Sequence, residues 1–198
     1  MKDNELSFPD SFDGFSRTEY LSVFIALIYA FSVAEVLVGW SKMLRSRKKI
    51  VFSTDHFIFT VSLLLVLILN WYVLWTRVGI LTKGFGYFLI SFIPVIILYF
   101  WSLYVFPDFD EEKDLKKYTD ENYNTILLFW ATFLIVNIAV AIYLGEIQLT
   151  DISVIARSIA IISILVVIIF NLKKFRRVAL LINFLVLLSA IVFYSVTH

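Results

Sequence analysis

The chain is 198 residues long, 61% hydrophobic and 17% charged, with a formal net charge of +1 and a mean hydropathy of +0.89. A soluble domain runs at about 45–50% apolar and about 25% charged, and the excess here gathers in six blocks, each long enough to cross a bilayer. This excludes a soluble globular domain, a disordered chain, a coiled coil and a nucleic-acid-binding module, and a charge near zero gives no field to draw in nucleic acid or an acidic partner.

Residues 1–20 are polar and acidic (Asp3, Glu5, Asp10, Asp13, Glu19). A cleavable signal would start basic and turn apolar at once, so the first apolar block is expected to stay in the protein. The blocks are 21–41, 57–78, 85–106, 125–144, 152–170 and 178–196. A helix rises about 1.5 Å per residue, so about 20 residues cross a hydrocarbon core of about 30 Å. Membrane strands would be half as long and would alternate in polarity; Leu63–Leu69 and Ile161–Phe170 do not. The expected fold is therefore all-α: one bundle of six transmembrane helices in a single domain.

The connections 42–56, 79–84, 107–124, 145–151 and 171–177 are too short to house a soluble domain. Basic residues set the orientation. Lys42, Arg45, Arg47, Lys48 and Lys49 fill the first loop, Lys113, Lys116 and Lys117 the third, and Lys173, Lys174, Arg176 and Arg177 the fifth. Only Lys2, Arg17, Lys83 and the helix-end Arg77 lie on the other side. Loops 42–56, 107–124 and 171–177 are expected in the cytoplasm and both termini outside. Trp40, Trp71, Trp75, Trp101 and Tyr104 lie toward block ends, where amphipathic rings settle at the headgroups. Pro107 closes the third block, and Pro94 is expected to kink it.

Catalytic and metal templates are absent from the sequence. There is no cysteine, and His56 and His198 are the only histidines. Disulfides, thiolate sites and histidine-rich haem, di-iron or zinc centres are excluded on that count. No phosphate-binding glycine loop, nucleophile elbow or zinc-protease helix occurs. Neither an enzyme nor a cofactor is expected.

Glu35 is the only acid inside an apolar block. A carboxylate there costs several kcal/mol unless it is paired, hydrated or protonated, which makes it a candidate functional group. Ser32, Glu35 and Gly39 follow i, i+3, i+7 spacing. Ser62, Tyr99, Ser163 and Asn183 fall about 8–10 Å from the same edge in their own blocks. A polar cluster centred on Glu35 follows, with Asn183 and Tyr99 as its first partners. It would be either a proton or monovalent-cation site, a hydrogen-bonded lock for helix packing, or an intersubunit contact. Asn70 and Asn137 read as interhelical hydrogen bonds. Arg157, inside the fifth block, either snorkels to the headgroups, pairs with Glu146 across the short loop before it, or makes an anion-attracting outer mouth. The basic runs at 45–49 and 173–177 serve topology and contact with anionic lipid. The acidic run at 108–114 lacks the spacing of an EF-hand and reads as a solvated loop.

The order Tyr20–Trp40, a basic loop, Asn70-Trp-Tyr-Val-Leu-Trp-Thr-Arg77, Phe106-Pro-Asp108 and Asp114-Leu-Lys-Lys-Tyr118 resembles a family of uncharacterised bacterial multi-pass inner-membrane proteins. The resemblance covers roughly residues 20–125. It implies a bacterial cytoplasmic membrane and transfers no activity and no site. Phe31-Ser32 is also similar to the Phe-Ser-x-x-x-Asp motif of bacterial lysosomal-type potassium channels, but Val36 stands where the Asp would be.

Two functions are open at this stage. One is a protein that moves or senses a proton or small cation through Glu35, as a homo-oligomer if it forms a pore. The other is a non-transporting scaffold, effector or accessory subunit bound to another membrane protein through its helix faces.

Overall fold

Inside a bilayer every backbone N–H and C=O must find its partner within the protein, and the six apolar stretches meet that demand as helices. The structure, a computed structural model, describes residues 11–12, 15–45, 50–81, 83–109 and 114–197. A two-residue ladder pairs Ser11–Phe12 (β1) with Phe15–Ser16 (β2). The helices are α1 (Arg17–Arg45), α2 (Thr54–Leu81), α3 (Phe85–Tyr104), α4 (Leu115–Tyr143), α5 (Ile152–Ile169) and α6 (Arg176–Thr197). All six are long and apolar enough to cross a membrane. A single 3-10 turn, Lys173–Phe175, leads into α6. Arg47–Lys49, the centre of the acidic run with Lys113, Lys2 and His198 lie outside the described residues.

The largest departure from the expected boundaries is α4. Its first ten residues were expected as loop, yet the helix starts at Leu115. The Asp114 side chain caps it, accepting from the Lys116 and Lys117 amides at 2.9 Å each. Leu115, Thr119, Tyr123 and Ile126–Leu127 are buried along one stripe, while Lys116, Lys117, Asp120 and Glu121 face out. The segment is amphipathic, so its mean hydropathy is low although one face is core. Pro94 is buried inside α3, and the helix runs through it from Phe85 to Tyr104.

The helices form two rings that share α2 and α4. In the first, α1 packs on α2 and α3, and α3 packs on α2 and α4. In the second, α4 packs on α5, α5 on α6, α6 on α2, and α2 on α4. The shared spine is aromatic. The Phe59 ring of α2 meets Tyr123 and Trp130 of α4 edge-on at 5.1 and 6.4 Å, and Trp101 of α3 lies 5.4 Å from Trp130. Leu27, Phe31, Ile135, Ile162 and Leu185 point outward, as lipid-facing side chains must in a bundle this apolar.

At the end that carries the basic loops, polar side chains tie the helices together. Trp40 Nε1 donates to Thr60 Oγ1 at 2.9 Å. His56 Nε2 donates to Val105 O at 3.0 Å. Tyr118 Oη donates to Tyr104 O at 2.6 Å, and Tyr123 Oη to Arg176 O at 2.7 Å. Leu115 N bonds Val51 O at 3.2 Å. Gly39 lets α1 and α3 close: a Cβ there would sit 2.5 Å from the Phe106 ring.

Candidate functional site

The expected cluster around Glu35 is not assembled. The buried stripe of α1 is Ile25, Tyr29, Ser32, Val36 and Gly39. Ser32 and Gly39 do share that packed face, but Glu35 lies about 100° round the helix from Val36 and is exposed. It borders a cleft with Val38, Gly39, Lys42, Ser102 and Asp108. Ser32 Oγ turns back to Ile28 O at 2.9 Å, and Ser62 Oγ to Ile58 O at 2.7 Å, so each hydroxyl is spent within its own helix. Tyr99 is half-buried against Phe100. Of the six residues, only Asn183 and Ser163 come together, on α6 and α5: Asn183 Nδ2 donates to Ser163 Oγ at 3.1 Å.

The polar residues converge in the second ring instead. A cavity of ≈ 70 Å³ lies between α2, α4, α5 and α6, walled by Val66, Leu69, Val186 and Leu187 and bearing Asn70, Arg77, Asn137, Arg157 and Asn183. That volume holds a few water molecules, and the site has the several polar groups that buried water needs. Each polar group arrives from a different helix turn. Asn70 and Arg77 are seven residues apart on α2 and so share a face. Asn137 lies two turns before the α4 terminus, and Arg157 a turn and a half into α5.

A chain of hydrogen bonds runs around the cavity. Arg157 Nη1 donates to Asn137 Oδ1 at 3.0 Å. Asn137 Nδ2 donates to Asn70 Oδ1 at 3.1 Å. Asn70 Nδ2 closes the chain on Val66 O at 3.0 Å. The Asn70 and Asn137 bond is the interhelical contact expected from the sequence; its link to Arg157 was not foreseen.

Of the three roles open to Arg157, the ion pair with Glu146 falls to another residue. Arg77 takes Glu146, donating from Nη2 and Nε to Oε2 at 2.8 and 3.0 Å. The reason is reach: Arg77 sits in the last turn and a half of α2, level with the loop that follows α4, whereas Arg157 turns inward to Asn137. Arg77 was read as a helix-end topology residue, yet it is 7% exposed. Its seven-residue spacing from Asn70 was the available signal. The cavity therefore carries two guanidinium groups, Arg77 and Arg157, with Glu146 bound to one of them.

At the deeper end, Asn183 is 2% exposed. Its Nδ2 donates to Ala179 O at 2.8 Å as well as to Ser163, while its Oδ1 is buried with no hydrogen-bond partner. The lining thus combines two guanidinium groups with the amide of Asn183. Among the described residues no group of three or more His, Cys, Asp or Glu is placed to hold a metal ion.

A comparison with known proteins adds no assignment: no family model, no curated protein and no solved structure matches the chain.

Proposed function

We propose that this polytopic membrane protein is a carrier that takes a small polar solute into the cavity of the second ring. The observation that carries the reading is the hydrogen-bonded chain Arg157–Asn137–Asn70 around a cavity inside an otherwise apolar bundle. Intramembrane arginine and asparagine are costly in lipid and mark solute or ion paths, and solute sites in transporters lie between helices within the membrane thickness. With the basic loops in the cytoplasm of a bacterial inner membrane, Arg77, Glu146 and Arg157 fall in the outer half, so the solute enters from outside.

The alternative centred on a proton or monovalent cation at Glu35 finds less support. A cation in the cavity would lie beside the Arg157 guanidinium, and Glu35 is not among the residues that line it. Glu35 instead favours a second reading, an accessory subunit. An exposed carboxylate within a span calls for a partner helix, and Phe24, Phe31 and Leu37 are exposed on the same helix.

The test is light scattering from proteoliposomes challenged with urea, nitrate and hydrogencarbonate. Wild-type vesicles are expected to equilibrate at least one of these faster than Arg157→Gln vesicles do, and Glu35→Gln is expected to match wild type. Wild-type rates equal to those of empty vesicles for all three would overturn the carrier reading.

A further inference from the structure

A separate cavity of ≈ 310 Å³ lies at the end of the bundle that carries the basic loops. It is lined by Asp55 at the start of α2, Asp120 and Tyr123 in the first three turns of α4, and Lys174, Arg176 and Arg177 where the 3-10 turn leads into α6. Three segments far apart in sequence build it, so it is more than a stretch of basic loop. The charges of the lining are only partly matched. Arg177 Nε faces both carboxylate oxygens of Asp55, at 3.1 and 3.2 Å, and that pair cancels. Arg176 donates to two neutral acceptors, Asp120 O at 3.4 Å and Asn124 Oδ1 at 3.3 Å, and lies over the Tyr123 ring at 4.9 Å. Among the described residues neither Arg176 nor Lys174 has an ion pair, and the Asp120 carboxylate accepts no hydrogen bond. Lys174 and Asp120 are exposed. Two positive charges and one negative are left over. A ligand that answers them carries a net charge of −1 and a hydrogen-bond donor beside its anionic group.

The cavity also adjoins the face of α6 that meets lipid. Leu181, Leu185, Leu188 and Val192 continue the face of Arg177 at helical spacing, and all four are exposed. The apolar spans of α2 and α6 begin here, at Thr54 and Arg176. A headgroup in the cavity can therefore keep its acyl chains along that stripe.

We propose that this cavity holds the phosphoglycerol headgroup of an anionic phospholipid, with the phosphodiester against Lys174 and Arg176 and a glycerol hydroxyl donating to Asp120. The site is independent of the solute cavity in the second ring. It differs from general attraction of basic segments to an anionic surface, because the carboxylate selects among headgroups of equal charge. A phosphoethanolamine headgroup has no net charge and leaves the surplus cation unanswered. A phosphomethanol headgroup has the charge of phosphoglycerol but no hydroxyl for Asp120.

The experiment is titration of the purified full chain in detergent with phosphatidylglycerol, phosphatidylmethanol and phosphatidylethanolamine, with bound lipid read by native mass spectrometry. Phosphatidylglycerol is expected to bind about fivefold more tightly than phosphatidylmethanol, the factor set by about one net hydrogen bond, with phosphatidylethanolamine weaker than either. Asp120→Leu should erase the difference between the two anionic lipids while both still bind. Lys174→Gln should weaken phosphatidylglycerol about fivefold, the worth of one basic residue near a lipid phosphate, and Lys174→Arg should restore it. Lys116→Gln removes the same charge from the same end of the bundle but outside the cavity, and should leave binding unchanged. Equal losses in Lys174→Gln and Lys116→Gln, or equal binding of the two anionic lipids by the wild type, would reduce the contact to surface charge and overturn the proposal. Soluble glycerophosphoglycerol is expected to compete poorly; competition as strong as that of the lipid would make the ligand a free phosphate ester and also overturn it.

Discussion

Arg157 of α5 donates to Asn137 of α4 across 3.0 Å, and the same asparagine passes the contact on to Asn70 of α2 at 3.1 Å. One side chain therefore joins three helices of the second ring. Asn137 is 8% exposed, and Asn70 and Arg157 on either side of it are half-buried. The consequence is an order of sensitivity within the chain.

Asn137→Leu should be the most damaging change in the cluster. It strips the acceptor from Arg157 and the donor from Asn70 together. An unsatisfied buried group costs about 1–3 kcal/mol, while single interhelical bonds in membranes average about 0.6 kcal/mol. A loss of about 2 kcal/mol is expected for Asn137→Leu and less than half of that for Asn70→Leu. Reversible unfolding in mixed micelles measures both, and a double-mutant cycle should show that the two losses do not add.

Arg77 and Glu146 close the cavity end as an ion pair whose side chains are 9% and 21% exposed. Breaking such a pair from one side leaves a charge without its partner, which costs more than deleting both. Glu146→Leu is expected to destabilise by about 1–3 kcal/mol. The exchanged pair Arg77→Glu with Glu146→Arg should recover part of the loss. Thermal unfolding of the two variants in detergent decides it.

Gly39 is fixed by geometry rather than by backbone conformation. A Cβ at this position meets ring carbons of Phe106 at 2.5–2.6 Å, including the carbon nearest the backbone. The ring also packs against His56 and Phe109, so Gly39→Ala should push α1 from the segment that follows α3. Overpacking of this kind costs about 1–3 kcal/mol, and Phe106→Leu in the same chain should return most of it. An unchanged melting temperature in Gly39→Ala would refute the contact.

Orientation has a direct test because the chain has no cysteine. Gln148→Cys, in the α4–α5 connection, should react with a membrane-impermeant thiol reagent added to intact cells. Lys174→Cys, at the basic end, should react only after the cells are opened. The reverse pattern would invert the topology and move the cavity mouth to the cytoplasmic side.

Much of the architecture was legible because lipid imposes a simple rule: spans of about 20 apolar residues become helices. The rule fails where a helix is half core and half solvent. Residues 115–124 of α4 average out as polar, though Leu115, Thr119 and Tyr123 are each no more than 1% exposed. The site was legible only in fragments. Asn70, Asn137, Arg157 and Asn183 stood out as polar residues within apolar blocks, but depth along a helix does not give rotation about it. Glu35 shared the depth of Asn183 and not its side of the bundle. Ser32 and Gly39 sit on the packed face and Glu35 does not, because the buried stripe of α1 passes through Val36. Partner choice was also hidden. Arg157 and Glu146 are close in sequence, while Glu146 binds Arg77, 69 positions away.

The central claim is that the second ring encloses a water-filled site reached from the outer side. Ala190 lines that cavity, and nearby Val192 is 62% exposed on the outside of the same helix. Ala190→Cys and Val192→Cys, treated in intact cells with a small charged thiol reagent, compare the two surfaces directly. The account predicts that Ala190→Cys reacts and that Val192→Cys in lipid stays unmodified. Modification of Val192→Cys with Ala190→Cys left untouched would contradict it.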